Sequence, residues 1–227
     1  MRASVDPPHP DLRSRVLAAA MASPVAPRTE GVRRRAVALA AGFAVPLAIS
    51  LALGFPRAGG RPAAYVATLA ASWLGVGLAA TWAGVSRGRS MLGRRAAWRL
   101  LVAALTPAAL FATALAAALA WPSTRDDEAG ALAHVVCVAV GMICALGPLA
   151  AFAAVRRSSD PVAPRLTGAA LGAASGAWGA LFIELHCVHT SVGHIVLGHV
   201  LPVVLLTLVG VLIGDRVVAI RPVRAAS

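Results

Sequence analysis

The chain has 227 residues, of which 59% are hydrophobic and only 13% are charged, and its formal net charge is +12. Soluble globular domains carry about 25% charged residues, so this composition argues against an ordinary soluble domain and predicts a polytopic membrane protein. All 21 basic residues are arginines, and they lie between the apolar runs rather than along one polar face. This placement argues against direct nucleic-acid binding and points to membrane topology instead.

Residues 1–35 form a basic, proline-containing segment ahead of the first apolar run. Within it, Asp11 suits the N-cap of one short helix that would end near Met21. The apolar side chains of that helix would form its docking face: Leu12, Val16, Leu17 and Met21. An isolated helix this short is marginal in water, so the pattern predicts that this face binds a partner protein or the membrane surface.

Six apolar segments follow, and each approaches or exceeds the roughly 20 helical residues needed to cross a bilayer. Their expected ranges are Ala36–Phe55, Ala63–Val85, Trp98–Trp121, Ala131–Val155, Leu166–Leu185 and Ile195–Ile213. The predicted fold is therefore all-α, with a six-helix transmembrane domain at 36–213 and a basic tail at 214–227. Glycines recur in the fifth segment and predict close packing between helix backbones: Gly168, Gly172, Gly176 and Gly179.

The arginines also predict the orientation of the chain. Eighteen of the 21 fall in the N-terminal segment, in or beside the loops after the second and fourth segments, or in the tail. The other three, Arg57, Arg61 and Arg125, fall on the opposite side. Since loops rich in arginine stay in the cytoplasm, both termini are expected there, and the tail with them.

A polar cluster stands out in the stretch from Glu184 to His199, which holds four of the six histidines. The predicted topology places it on the outer side of the membrane, beside the start of the fourth segment. Six side chains become candidate metal ligands there: His134, Cys137, His186, Cys187, His194 and His199. Ionisable groups at membrane depth are costly, so this cluster is the expected functional site. His189 is interpreted instead as an interfacial anchor.

Two chemistries fit these residues. Imidazole and thiolate suit zinc or another transition metal, although the spacing matches no standard zinc motif. Alternatively, Cys137 and Cys187 would form a reversible disulfide in an oxidising compartment, where nearby histidines would lower a thiol pKa. Glu184 is either a buried carboxylate coupled to His186 or the headgroup boundary of the fifth helix.

The pattern predicts no enzyme active site. Thr190 and Ser191 lie beside histidines but lack an oriented carboxylate, so a catalytic triad is not expected. A membrane protein or enzyme that handles metal, haem or redox equivalents with the same cluster is the alternative, and a transporter is a third interpretation.

The second half of the chain carries a more specific combination of residues: Cys137, Pro148, Arg156-Arg157, Pro164, the Gly/Ala run 168–176 and Leu185-His186-Cys187. It resembles the negative-regulator-of-sigma-F family, six-helix membrane anti-sigma factors of Gram-negative bacteria. The resemblance implies a cytoplasmic-membrane protein whose N-terminal segment binds an extracytoplasmic-function sigma factor. It also implies that Cys137 and Cys187 sense metal or oxidant stress.

This chain departs from the family pattern in two places. Val188 stands where the family usually has proline after His-Cys. His194 and His199 lie in a stretch that is commonly acidic and aromatic in the family, which implies a different inducer or a metal-binding variant.

Overall fold

The structure, a computed structural model, describes Ser14, Ala18 and residues 28–54, 61–86, 96–122, 129–157, 159–160 and 162–219. Its six long helices are α1 Arg28–Leu53, α2 Ala63–Val85, α3 Ala96–Ala120, α4 Ala131–Arg156, α5 Pro164–Glu184 and α6 Val192–Val217. Each contains a stretch long and apolar enough to cross a membrane, which confirms the predicted all-α, six-span architecture. The predicted docking face, Leu12, Val16, Leu17 and Met21, lies outside the described residues.

The chain divides into two units, Met1–Arg34 and Arg35–Ser227, and the helices pack into a bundle within the second unit. Several helices extend beyond the apolar runs that predicted them. α1 begins at Arg28 rather than Ala36, and α6 spans Val192–Val217 rather than Ile195–Ile213. The reason is that helical hydrogen bonding continues through polar residues, as in the first turns of α1, where Arg34 pairs with Glu30 one turn earlier.

α5 is the central helix of the bundle, and 83% of its most apolar stretch is buried. Its glycines allow this burial, because they bring neighbouring backbones into direct contact. A Cβ on Gly168 would overlap the carbonyl of Gly210 in α6, and one on Gly172 would overlap the carbonyl of Leu206. Nearer the C-terminal end of α5, a Cβ on Gly179 would overlap the backbone of α4. The predicted close packing of small residues is therefore confirmed.

The outer surface of the bundle is strongly apolar. Leucines on three different helices, Leu119, Leu132 and Leu212, are each at least 75% exposed. Such exposure suits a protein whose surroundings are lipid tails rather than water.

A buried polar cluster lies where α4 ends and α5 begins. The Asp160 carboxylate pairs with Arg99 of α3 and lies 3.9 Å from Arg156 Nη2 of α4. It also accepts a hydrogen bond from the Thr167 hydroxyl of α5, while the Asp160 N–H donates to the Val218 carbonyl beyond α6. Asp160 therefore ties together the ends of four helices.

Candidate functional site: a buried thiol–imidazole group

Four of the predicted site residues converge at one point of the bundle: Cys137 of α4, Cys187 just after α5, and His194 and His199 of α6. One ligand atom from each lies within 4.8 Å of the others. Cys187 Sγ and His194 Nε2 are 3.3 Å apart. All four side chains are buried. We refer to these four residues as the thiol–imidazole group.

An irregularity in α6 brings its two histidines together. Residues five apart in a regular α-helix point about 140° away from each other, so His194 and His199 would face different neighbours. The segment Val196–Val200 is instead a π-helix, in which the Leu201 N–H donates to the carbonyl of Val196, five residues earlier. This wider turn lets both imidazoles reach the same group. Single π turns inside α-helices are frequent at functional sites.

The two cysteines reach the group by different routes. Past the end of α5, the N–H groups of His186 and Cys187 both donate to the carbonyl of Ile183, at 3.0 and 2.9 Å, which folds the chain back toward the bundle. Cys137 comes from the second turn of α4. A Cβ on Gly198 would lie only 3.2 Å from the Cβ of Cys137, so glycine at 198 keeps α6 close to α4 at this point.

Two further histidines border the group, and a third lies apart from it. The rings of His134 and His189 both contact the ring of His194, with centroids 4.8 and 4.6 Å away. His186 lies apart, because its Nδ1 is 2.8 Å from the Phe182 carbonyl and its Nε2 is 3.2 Å from the Ser50 carbonyl of α1. The candidate ligands His134 and His186 are therefore not among the four convergent residues.

Glu184 is a fully buried carboxylate, in line with one of the two alternatives left open by the sequence, but it contacts Arg61 and His199 rather than His186. It accepts from Arg61 Nη1 at 2.7 Å and lies 2.9 Å from His199 Nδ1. It is not coupled to His186. Arg61 is itself buried, although the sequence suggested a loop position for it. Sequence reasoning missed this pairing because the two residues are 123 positions apart.

A cavity of about 950 Å³ opens beside the two cysteines. Its walls include Leu53, Val136 and Ile183, and Cys137 and Cys187 line it together with His186 and His189. The two buried thiols therefore border a cavity large enough to hold a small molecule.

The environment of Cys187 raises the pKa of its thiol. The hydrogen bond with Cys137 has the largest effect and burial adds to it, while the imidazoles of His194 and His199 act in the opposite direction. The expected lowering of the pKa by histidines is thus outweighed at this cysteine. A neutral thiol at this position must lose its proton before it can ligate a metal.

The four residues satisfy the chemical requirements of a transition-metal site. Two thiolates and two imidazoles are a common donor set for zinc, which holds sulfur at about 2.3 Å and nitrogen at about 2.0–2.1 Å in a tetrahedron. Those lengths imply donor-to-donor distances of about 3.3–3.8 Å, close to the 3.3 Å between Cys187 Sγ and His194 Nε2. Because Nδ1 of His199 faces Glu184, its buried Nε2 remains as the ligand atom.

Comparison with known proteins agrees with the resemblance seen in the sequence. The chain matches the family described as negative regulator of sigma F over residues 17–219, a range that includes all four residues of the thiol–imidazole group. No curated protein and no solved structure matches the chain. The family match covers most of the sequence, and the six-span helical architecture agrees with it. The chain therefore belongs to the negative regulator of sigma F family.

Proposed function

We propose that this protein is an anti-sigma factor of a bacterial cytoplasmic membrane. Its N-terminal segment, residues 1–35, holds an extracytoplasmic-function sigma factor, and binding of a transition metal to the thiol–imidazole group releases it. Membership of the negative regulator of sigma F family supports the sigma-factor partner. The single observation that supports a metal signal is the convergence of four buried metal-ligating side chains at one point.

The donor set favours a soft or borderline cation such as zinc. Cys137, Cys187, His194 and His199 would hold it, and thiolates select such metals over calcium or magnesium. The bound cation would supply positive charge that compensates two thiolates in a buried place. The role of the chain is to hold the four ligands together and to release the thiol protons as the cation binds.

Transmission of the signal requires two arrangements of the bundle that differ in their affinity for metal. The four ligands come from α4, from the residues after α5 and from α6, so occupation of the site would tie these three elements together. The π-helical segment of α6 supplies a place where the arrangement can differ, because a shift between π and α geometry would turn His199 relative to His194. We propose that the metal-bound arrangement no longer retains the sigma factor.

The test uses the purified full-length protein in lipid nanodiscs, mixed in turn with each extracytoplasmic-function sigma factor of its host. We expect one sigma factor to be retained without metal and to be released as zinc is added. Leu17→Asp should abolish retention because it places a charge on the docking face. Cys187→Ser should retain the sigma factor but fail to release it with zinc.

Ala18→Asp is the matched control for Leu17→Asp, because Ala18 is exposed and the charge change is the same. Equal retention by the two variants would refute the role of the docking face, and failure of the unchanged protein to retain any sigma factor would refute the proposed function. Release of the sigma factor is also measured after addition of a thiol oxidant instead of zinc. Release by the oxidant but not by zinc would replace the metal signal with a Cys137–Cys187 disulfide.

A further inference from the structure

A buried chain of polar contacts continues outward from the thiol–imidazole group. Nδ1 of His199 lies 2.9 Å from Glu184 Oε2, while Glu184 Oε1 accepts from Arg61 Nη1 at 2.7 Å. A second guanidinium nitrogen, Arg61 Nη2, donates to the backbone carbonyl of Glu184 at 3.0 Å. The side chains of Arg61, Glu184 and His199 are at most 3% exposed.

Stability alone gives little reason to retain these charges. Removing two charges from water costs several kcal/mol per ion, and replacing a buried ion pair with apolar side chains is often neutral or stabilising. The contacts here end on His199, a ligand residue of the proposed site, at the ring nitrogen that does not ligate. Both carboxylate oxygens have specific partners, and one partner is the histidine nitrogen opposite the nitrogen that faces the thiols.

We infer that Glu184 and Arg61 are positioning residues of the metal site, an assignment that rests on the proposed function. Glu184 accepts a hydrogen bond from the N–H at Nδ1 of His199 and so fixes the tautomer in which Nε2 is free to ligate. Arg61 holds the carboxylate in one orientation, because it donates hydrogen bonds to both the side chain and the backbone carbonyl of Glu184. Histidine ligands in metal sites usually donate a hydrogen bond from the N–H of their second ring nitrogen to such a carboxylate or to a carbonyl.

This assignment brings α2 into contact with the site. Arg61 lies immediately before α2, which supplies none of the four convergent ligands. Through Arg61 and Glu184, the position of His199 is linked to the start of α2 as well as to α4, α5 and α6. Loss of either positioning residue should weaken metal binding without removing a ligand.

The experiment measures the zinc affinity of the full-length protein in nanodiscs by competition with a chromophoric chelator. We expect Glu184→Ala to weaken zinc binding by about 10–100-fold, the usual effect of losing such a partner. Glu184→Leu combined with Arg61→Met removes both charges and the acceptor oxygens together, so it avoids an unpaired buried arginine and should still show the loss. Asp215→Asn is the control, because Asp215 forms an exposed pair with Arg165 and should leave the affinity unchanged.

A double-mutant cycle with His199→Ala separates positioning from a general structural effect. If Glu184 acts through His199, the Leu–Met pair of substitutions weakens zinc binding when His199 is present and adds no further loss once His199 is absent. Equal losses in both backgrounds would overturn the assignment, and so would unchanged affinity in the Leu–Met variant. Absence of zinc binding by the unchanged protein would instead refute the metal site of the proposed function, and this assignment with it.

Discussion

Asp160 shows how single buried charges organise this chain. Burial opposes its ionisation, but hydrogen bonds from the Thr167 hydroxyl and from the N–H groups of Ala163 and Val162, together with the charge of Arg99, outweigh that effect and lower its pKa. The carboxylate therefore stays ionised at neutral pH. It supplies negative charge beside two buried guanidinium groups, those of Arg99 and Arg156.

Replacing Asp160 with alanine should strongly destabilise the protein. Breaking a buried ion pair by removing one partner costs about 3–5 kcal/mol, because the other charge remains in an apolar environment. The free energy of unfolding, measured by denaturant titration in detergent micelles, is the appropriate measurement. Asp215→Ala breaks an exposed pair and should cost only about 0–1 kcal/mol. Equal losses in the two variants would contradict the importance of the Asp160 cluster.

The pH dependence of Asp160→Asn provides a second measurement for the same residue. A carboxyl with a lowered pKa in the folded state stabilises the fold fully above its unfolded pKa, about 3.9, and loses that contribution as the pH falls through the folded value. The stability difference between the unchanged protein and Asp160→Asn should thus be constant from about pH 7 to pH 5 and shrink below about pH 4. A difference that already shrinks above pH 5 would refute the lowered pKa.

These residue-scale contacts mark the limit of what the sequence predicts. The predicted topology was sufficient to place four residues near one another, because helix ends on the same side of a membrane lie close together: Cys137, Cys187, His194 and His199. The partners of Glu184 and Asp160 could not be found in this way. Arg61 and Arg99 look like ordinary loop or boundary arginines in the sequence, and only the helix packing shows that they are buried.

At the scale of helices, apolar runs and arginine-rich loops were sufficient to predict six spans, because a bilayer fixes the required length. The π-helical segment of α6 was not predictable, since the apolar pattern around it is compatible with a regular helix. A regular helix would separate His194 from His199. The side chains of the site therefore depend on a local departure from the periodicity on which sequence analysis relies.

Gly172 tests the importance of close contact between α5 and α6. Its Cα faces the carbonyl of Leu206 so closely that a Cβ would overlap it. Gly172→Ala should destabilise the protein by about 1–3 kcal/mol, since overpacking forces backbones apart. In the control Gly75→Ala, the added Cβ would have no described residue within 4 Å beyond the backbone of its own helix, and stability should stay equal or rise by up to about 1 kcal/mol. Unfolding in detergent measures both, and a neutral Gly172→Ala would argue against the packing described.

For the molecule as a whole, orientation decides whether the proposed function is physically coherent. The proposed function requires the docking face to lie on the cytoplasmic side, where sigma factors act. Three of the 21 arginines on which the predicted orientation is based are buried in the bundle: Arg61, Arg99 and Arg156. Without them, sixteen arginines remain on the predicted cytoplasmic side and two on the other, so the basis of the predicted orientation persists.

Labelling of single cysteines with a membrane-impermeant thiol reagent tests this orientation. In a background with Cys137, Cys144 and Cys187 replaced by serine, we expect Ser123→Cys to react in intact cells from which any outer barrier has been removed. Ser90→Cys and Ser227→Cys should react only after the membrane is permeabilised, because arginine-rich loops and tails remain in the cytoplasm. The reverse pattern would place residues 1–35 outside the cytoplasm, out of reach of any sigma factor, and would refute the proposed anti-sigma function.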